Sequence, residues 1–264
     1  MHEITDVKDL PESAALERQC VACGHAVSES ASFCSACGKP IEHVTPGQLD
    51  AMTVLTPTLI YYFVTLLLLG IYKFTNVWDS SFESTVVVTI FDVAIVVIFW
   101  ILYGRSLAPL FSFKNVRIKI VLLVMLGCVA GAVVVHYLAA AINVAINDHD
   151  VFYDYLIFGT TDHPKLFAVL FICVQPAIFE EVAFRGFLFN NVQQLTTQET
   201  TVYVTSFMFG VLHLAFLSLF WLVPIGLAFA FLRKRYNTLW YGIVGHFTYN
   251  FIIIFFDYIN LNFL

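Results

Sequence analysis

The run KLFAVLFICVQPAIFEEVAFRGFLFNNV, residues 165–192, is long enough to cross a bilayer, yet it carries Glu180, Glu181 and Arg185 in its interior. A hydrocarbon core needs about twenty mainly apolar residues to be spanned by a helix. Ionisable groups inside such a helix are costly and usually functional. The rest of the chain reads the same way. Hydrophobic residues make up 59% of the 264 and charged residues only 12%, whereas a soluble domain carries about a quarter charged residues. Too few charges remain to cover a water-exposed surface. A soluble enzyme, a disordered chain and a free nucleic-acid-binding domain are excluded, and no nucleic-acid partner is expected.

Working outward, apolar runs at roughly 53–74, 84–103, 117–146, 200–216, 219–233 and 238–258 bring the number of spans to seven. The fifth and sixth are short and joined by the apolar stretch around Leu217-Ser218. The expected fold class is an all-α polytopic membrane helix bundle of about seven transmembrane helices, residues 53–264, preceded by a small zinc-ribbon domain. Arg105, Lys114, Arg117 and Lys119 lie between spans two and three, and Arg233, Lys234 and Arg235 follow span six. The alternate loops hold only Lys73 and Lys165, beside Asp148, Asp150, Asp154 and Asp162. Positive-inside counting puts the N-terminus in the cytosol and the C-terminus outside. Nothing at the start resembles a signal peptide, so insertion is expected to proceed through the helices themselves.

Residues 1–50 are a different material, with three basic side chains against eight acidic ones. They contain Cys20-Val21-Ala22-Cys23-Gly24 and Cys34-Ser35-Ala36-Cys37-Gly38. Two C-x-x-C pairs bring four thiolates to one tetrahedral ion, as structural Zn²⁺ requires. Gly24 and Gly38 permit the positive-φ turn of each knuckle. So short a segment cannot fold on its own core, and metal supplies the missing stability. The alternative is two disulfides in an exported domain; the topology, which puts the segment in the reducing cytosol, favours zinc on Cys20, Cys23, Cys34 and Cys37. His25 and His43 are not needed as ligands. The segment resembles the short zinc ribbons at the N-termini of prokaryotic membrane proteins, over residues 18–41, and residues 42–52 read as a linker. A four-cysteine site has no open position for chemistry, so the ribbon is expected to recruit or regulate a cytosolic protein. Cys128 and Cys173 sit singly in apolar runs and read as packing residues.

Glu181 and Arg185 stand at i and i+4 and share a helix face, whereas Glu180 points about 100° away and has no partner in its own helix. An unpartnered carboxyl group in a low dielectric trades protons near neutrality, which suits a general base or acid. The competing reading is a structural ion-pair cluster that locks helices together. Span five supplies Phe209-Gly210-Val211-Leu212-His213, and span seven supplies His246-Phe247-Thr248-Tyr249-Asn250. His246 and Asn250, at i and i+4, aim two hydrogen-bond donors at one point, an arrangement suited to a developing oxyanion. His213 alone is equally a packing histidine; His136 reads as a satisfied core residue, and Asp92 as an interhelical hydrogen-bonding residue. Gly210, Gly242 and Gly245 permit close helix approach. All three motifs lie roughly 12–20 Å below the cytosolic face at 1.5 Å per residue. They are expected to meet in one buried polar cavity open to the cytosol.

E-E-x-x-x-R, F-x-x-x-H and H-x-x-x-N, in that order on successive membrane helices, resemble the CAAX prenyl protease and bacteriocin-processing family, over a core of about residues 160–258. The resemblance implies an intramembrane endopeptidase acting on membrane-embedded or lipid-anchored peptides or proteins. It implies that Glu180 and His213 activate the hydrolytic water, that His246 and Asn250 form an oxyanion hole, and that Glu181 and Arg185 support them. The family core is described with eight helices, one more than the spans found here. Glu180, His213 and His246 also form a donor set for a catalytic metal, although H-x-x-x-N suits hydrogen bonding better than ligation, so a metal-free site is favoured. Two other readings compete. One is a non-catalytic scaffold or bacteriocin-immunity protein that binds peptides in the same cavity. The other is an ion or proton transporter, which Asp92 would support if it faces the cavity. The expected location is the cytoplasmic membrane of a prokaryote.

Overall fold

The computed structural model describes residues 18–20, 22–27, 31, 33–40, 51–75, 81–145 and 154–263. Seven long helices succeed one another among them: α1 (Ala51–Phe74), α2 (Phe82–Leu107), α3 (Ile118–Ala145), α4 (Pro164–Leu195), α5 (Gln198–Leu212), α6 (Leu219–Tyr236) and α7 (Trp240–Phe263). In hydrocarbon every backbone N–H and C=O must find a partner within the protein, which a helix provides. The runs of Leu, Val, Ile and Phe therefore coil. Side-chain caps start two of them: Ser81 Oγ accepts from Ser84 N at 3.2 Å, and Thr197 Oγ1 accepts from Thr200 N at 3.2 Å. α1, α2, α3, α4 and α7 are long and apolar enough to cross a membrane. The chain is a multi-pass membrane protein.

α5 and α6 depart from this. α5, with 15 residues, is about 22 Å long at 1.5 Å per residue, short of the ~30 Å core. The span expected over 200–216 stops at Leu212, because His213 caps the helix and Leu214 takes a left-handed φ of 51°. The His213 carbonyl accepts from Lys73 Nζ, at the end of α1, at 3.2 Å, which places a cation at the negative end of α5. α6 then runs back against α5, and a Cβ on Gly210 would lie 2.9 Å from Val223 Cγ2. Non-helical backbone is tolerated within a membrane where it lines a cavity, and His213 and Leu214 do so here.

α4 is not a plain helix either. Val169–Val174 and Glu181–Leu188 are π-helical, on either side of an α-helical Gln175–Glu180. Pro176 has no N–H to direct at the Ile172 carbonyl; Asn250 Nδ2 on α7 supplies the donor, at 2.7 Å.

Polar contacts tie several helix ends together at one end of the bundle. Asn191 Nδ2 donates to Thr58 Oγ1 at 3.1 Å, and Leu239 N and Thr238 Oγ1 both donate to Leu110 O, at 3.0 and 3.1 Å. Arg117 N donates to the Tyr241 hydroxyl, which donates to Asn115 O. The start of α1, the ends of α2, α4 and α6 and the start of α7 thus share this end. The cysteine-rich segment docks on it as two matched knuckles. Strands β1 (Arg18–Gln19) and β2 (Ala26–Val27) pair antiparallel, and Phe33 bridges Pro40. Gly24 and Gly38 adopt φ of 72° and 70° as expected. Asn237 Nδ2 donates to the Cys37 carbonyl, and a Cβ on Gly38 would lie 3.1 Å from Leu110. The expected linker falls mainly on residues 41–50, outside the described residues, while Ala51 and Met52 already belong to α1.

The bundle interior is aromatic. Phe187 of α4 meets Phe99 and Tyr103 of α2 and Tyr61 of α1, at centroid distances of 4.7, 4.9 and 5.6 Å. His136, partly buried, stacks on Phe256 of α7 at 4.3 Å. The Asn191–Thr58 bond is a direct test of the α1–α4 packing. A double-mutant cycle with Asn191→Leu and Thr58→Val, read by unfolding in mixed micelles, should return a coupling of about 0.6 kcal/mol, the scale of interhelical hydrogen bonds in membranes.

Candidate active site

α4, α6 and α7 build a buried ionic cluster. Arg185 Nη1 donates to Glu181 Oε1 at 2.9 Å, one helical turn away. Arg185 Nη2 donates to Gly226 O of α6 at 3.2 Å, and its guanidinium lies 4.5 Å from the Phe209 ring centroid. His246 Nδ1 on α7 meets the same Glu181 Oε1 at 3.2 Å. Arg185 and Glu181 are sealed from solvent, and His246 is 5% exposed. α7 approaches this closely because Gly242 faces the carboxylate: a Cβ there would overlap Glu181 Oε2.

Glu180 points elsewhere, as one residue's rotation requires. It lines a cavity of about 470 Å³ together with Tyr61, Lys73, Asp92, Phe209 and His213. Its side chain keeps 29% of its surface open, while Oε2 is buried without a hydrogen-bond partner. His246 Nε2 is 3.8 Å from that oxygen. One imidazole therefore spans both carboxylates, Nδ1 on Glu181 and Nε2 towards Glu180. His213 shares the cavity; its Nδ1 lies 3.0 Å from Phe209 O. Asp92 faces the cavity too and accepts from Gln175 Nε2 at 3.0 Å, the interhelical bond expected of it.

The six motif residues thus divide into three groups rather than lining a single cavity. Glu180 and His213 are on the cavity wall. Glu181, Arg185 and His246 stand behind it, and Asn250 supports the Ile172 carbonyl. The cavity also opens differently from expectation. Its outer lining is Tyr72 and Lys73 at the end of α1, Ile157 and Leu214, all remote from the end that carries the cysteines. Cavity and cysteine-rich segment lie on opposite sides of the cluster.

Among the described residues, Cys20, Cys23, Cys34 and Cys37 form a group whose ligand atoms all lie within 4.8 Å of one another, and Glu180, His213 and His246 do not. The Sγ atoms of Cys20 and Cys37 are 3.7 Å apart and those of Cys23 and Cys34 3.5 Å, close to the ~3.8 Å edge of a tetrahedron with 2.3 Å metal–sulfur bonds. All six cysteines are free. Desolvation pushes the Cys37 thiol up to about 12, whereas at Cys34 desolvation is outweighed by the N–H groups of Ala36 and Cys37, giving about 7. A bound cation must displace the protons this spread retains. The donor set fits one tetrahedral ion.

Sequence reasoning missed Arg233. It reads as one of three loop cations after span six, yet it is 4% exposed. Its Nε donates to Arg185 O at 2.9 Å and its Nη2 to Asn190 Oδ1 at 2.9 Å. Nothing in Arg233-Lys234-Arg235 marks one of the three for burial. Gly242→Ala tests the cluster itself. The added methyl displaces the Glu181 carboxylate and should cost about 1–3 kcal/mol of stability. A thermal melt should show the loss, and Glu181→Asp in the same chain should recover part of it by withdrawing the carboxylate.

Residues 162–252, about a third of the chain, match the family model described as type II CAAX prenyl endopeptidase Rce1-like. No curated protein and no solved structure matches the chain. The matched segment contains Glu180, Glu181, Arg185, His213, His246 and Asn250, so the part of the chain that builds the site is similar to the Rce1-like CAAX endopeptidases, in agreement with the resemblance read from its motifs.

Proposed function

We propose that this protein is an intramembrane endopeptidase that hydrolyses peptide bonds of membrane-embedded or lipid-anchored substrates. The observation that carries the reading is the Glu180 carboxylate. It is open to a cavity deep in the bundle, has an unbonded buried oxygen, and faces an imidazole already oriented by a second carboxylate. It stands inside a segment similar to CAAX endopeptidases.

In this mechanism Glu180 takes a proton from a water held in the cavity, and the resulting hydroxide attacks the scissile carbonyl. His213, on the same wall, orients that water. To serve the oxyanion, His246 must carry a proton on both ring nitrogens: Nδ1–H donates to Glu181, and Nε2–H is then offered to the negative charge that develops on the carbonyl oxygen. Arg185 holds the Glu181 carboxylate in place. Glu180 then returns its proton to the leaving amine. Asn250 spends one amide hydrogen on Ile172 O, which holds α7 against α4; an oxyanion role would fall to its second amide hydrogen.

Zinc is the ion proposed for Cys20, Cys23, Cys34 and Cys37, in a structural role. No metal is required by the proton transfers at Glu180. The excess of Lys and Arg at the ribbon end supports a cytosolic position for that end and for the N-terminus. Because Asp92 faces the cavity beside Glu180, a proton relay remains the second reading; it needs Asp92 to exchange protons, whereas hydrolysis does not.

These readings separate on purified full-length protein in nanodiscs, assayed with a fluorogenic prenylated peptide ending in a CAAX sequence. Glu180→Gln should lower kcat by at least about 10³-fold, while Asp92→Asn changes it by less than about tenfold. The preparation should contain one zinc per chain, lost on Cys20→Ser with Cys34→Ser. A second stoichiometric metal that survives those substitutions would contradict the metal-free site.

A further inference from the structure

The cysteine-rich segment and the ionic cluster are joined by hydrogen bonds that meet at Arg185, whose main-chain carbonyl receives Arg233 and whose guanidinium reaches Glu181. The Cys37 carbonyl accepts from Asn237 Nδ2. Asn237 Oδ1 accepts from Arg233 Nη1 at 2.5 Å, and Asn237 N–H also donates to Arg233 O at 2.9 Å. Arg233 Nε donates to the Arg185 carbonyl, and Arg185 Nη1 donates to the Glu181 carboxylate that orients His246. Each link is a group with little freedom to leave. Arg233 is a buried guanidinium whose acceptors are three neutral oxygens, from Arg185, Asn190 and Asn237. A buried cation deprived of an acceptor loses more than an ordinary hydrogen bond, so the Asn237 carbonyl is committed to it. Asn237 occupies the left-handed cap of α6, with φ 51° and ψ 47°, where Asn is tolerated better than most residues. With its oxygen committed, its amide nitrogen can point only at the ribbon.

We propose that Asn237 and Arg233 are positioning residues through which the metal-loaded ribbon holds Arg185, and with it the Glu181–His246 pair, in register. The ribbon is then a working part of this enzyme rather than a free adaptor, and its loss of metal is felt at the site. A segment of this size folds only with its ion. Unloading therefore removes the Cys37 carbonyl from its place, leaves Asn237 without its acceptor, and loosens the clamp on Arg233. The inference rests on the protease reading only for its activity measurement, because metal release reads the same coupling without catalysis. Linkage requires the effect to run both ways: if metal steadies the cluster, the cluster steadies the metal.

Asn237→Asp separates the two halves of the clamp. It keeps the acceptor for Arg233 and tolerates the left-handed cap, but it cannot donate to Cys37 O. Wild type, Asn237→Asp and Arg233→Lys, all full length in nanodiscs, are assayed zinc-loaded and after chelator stripping. The coupling predicts that stripping lowers wild-type kcat on the prenylated CAAX peptide about fivefold or more, with little change in KM. It predicts that loaded Asn237→Asp already shows that loss and that stripping adds nothing to it. Transfer of zinc to a chromogenic chelator should be about fivefold faster from both variants than from wild type. Equal, additive effects of stripping on wild type and Asn237→Asp, or zinc release at the wild-type rate from both variants, overturn the coupling. Loaded wild type that cleaves nothing overturns the protease reading instead, and the zinc-release comparison then decides the coupling alone.

Discussion

One carboxylate oxygen, Glu181 Oε1, organises the interior of this bundle. Arg185 and His246 both bind it, at 2.9 and 3.2 Å. Stripping a carboxylate and a guanidinium of water costs several kcal/mol each, and the pair is tolerable only when further hydrogen bonds complete it. Here Gly226 O of α6 and the Phe209 ring complete Arg185, and His246 joins it on Glu181 Oε1, while Glu181 Oε2 is buried without a hydrogen-bond partner. The positions of α5, α6 and α7 around α4 follow from that need. Small residues make it attainable, because Gly242 alone leaves room for the carboxylate and Gly210 lets α5 and α6 close up. The arrangement yields little net stability but fixes the direction of one imidazole.

That direction is what connects structure to chemistry. With Nδ1 on Glu181, His246 turns Nε2 towards Glu180, whose carboxylate is neither bonded by its own helix nor cut off from the cavity. Two adjacent glutamates thus receive opposite environments, one sealed and paired, the other accessible. Segregation of this kind is how a site assigns different roles to like residues. The cavity reaches the bundle surface near Lys73 and Leu214, on the side away from the cysteines. Under the proposed orientation, substrate reaches Glu180 through the outer half of the membrane domain while the ribbon stands at the cytosolic end.

Much of this was legible in the sequence, for reasons that are local. Apolar run length locates a membrane helix, so the spans at roughly 84–103 and 165–192 are close to helices α2 and α4. The i,i+4 spacing of Glu181 and Arg185 fixes their pairing, and C-x-x-C-G fixes both the knuckle and its positive-φ glycine. The end of α5 was not legible. His213-Leu214-Ala215-Phe216-Leu217-Ser218 contains no Gly, Pro or Asn, and the contact made where the helix ends, from Lys73 of α1 to the His213 carbonyl, is tertiary and leaves no local trace. The burial of Arg233, the π-helical turns of α4 and the placing of Asn250 on Ile172 are likewise set between helices. Pro176 hinted at the last by withholding an N–H, but a proline does not say which neighbour will answer for it. The side on which the cavity opens depends on where α1 and α5 end, which the hydropathy of neither reveals.

The central claim is that the accessible glutamate hydrolyses peptide bonds in membrane substrates. It is tested most directly by quantitative mapping of protein termini in membranes from cells that express wild type or Glu180→Gln at matched levels. The account predicts a small set of new termini, near or within membrane-anchored segments, that appear with wild type and vanish with Glu180→Gln. Identical termini in the two, in cells where a deletion phenotype is fully rescued by Glu180→Gln, would contradict it and leave peptide binding without catalysis as the function of the cavity.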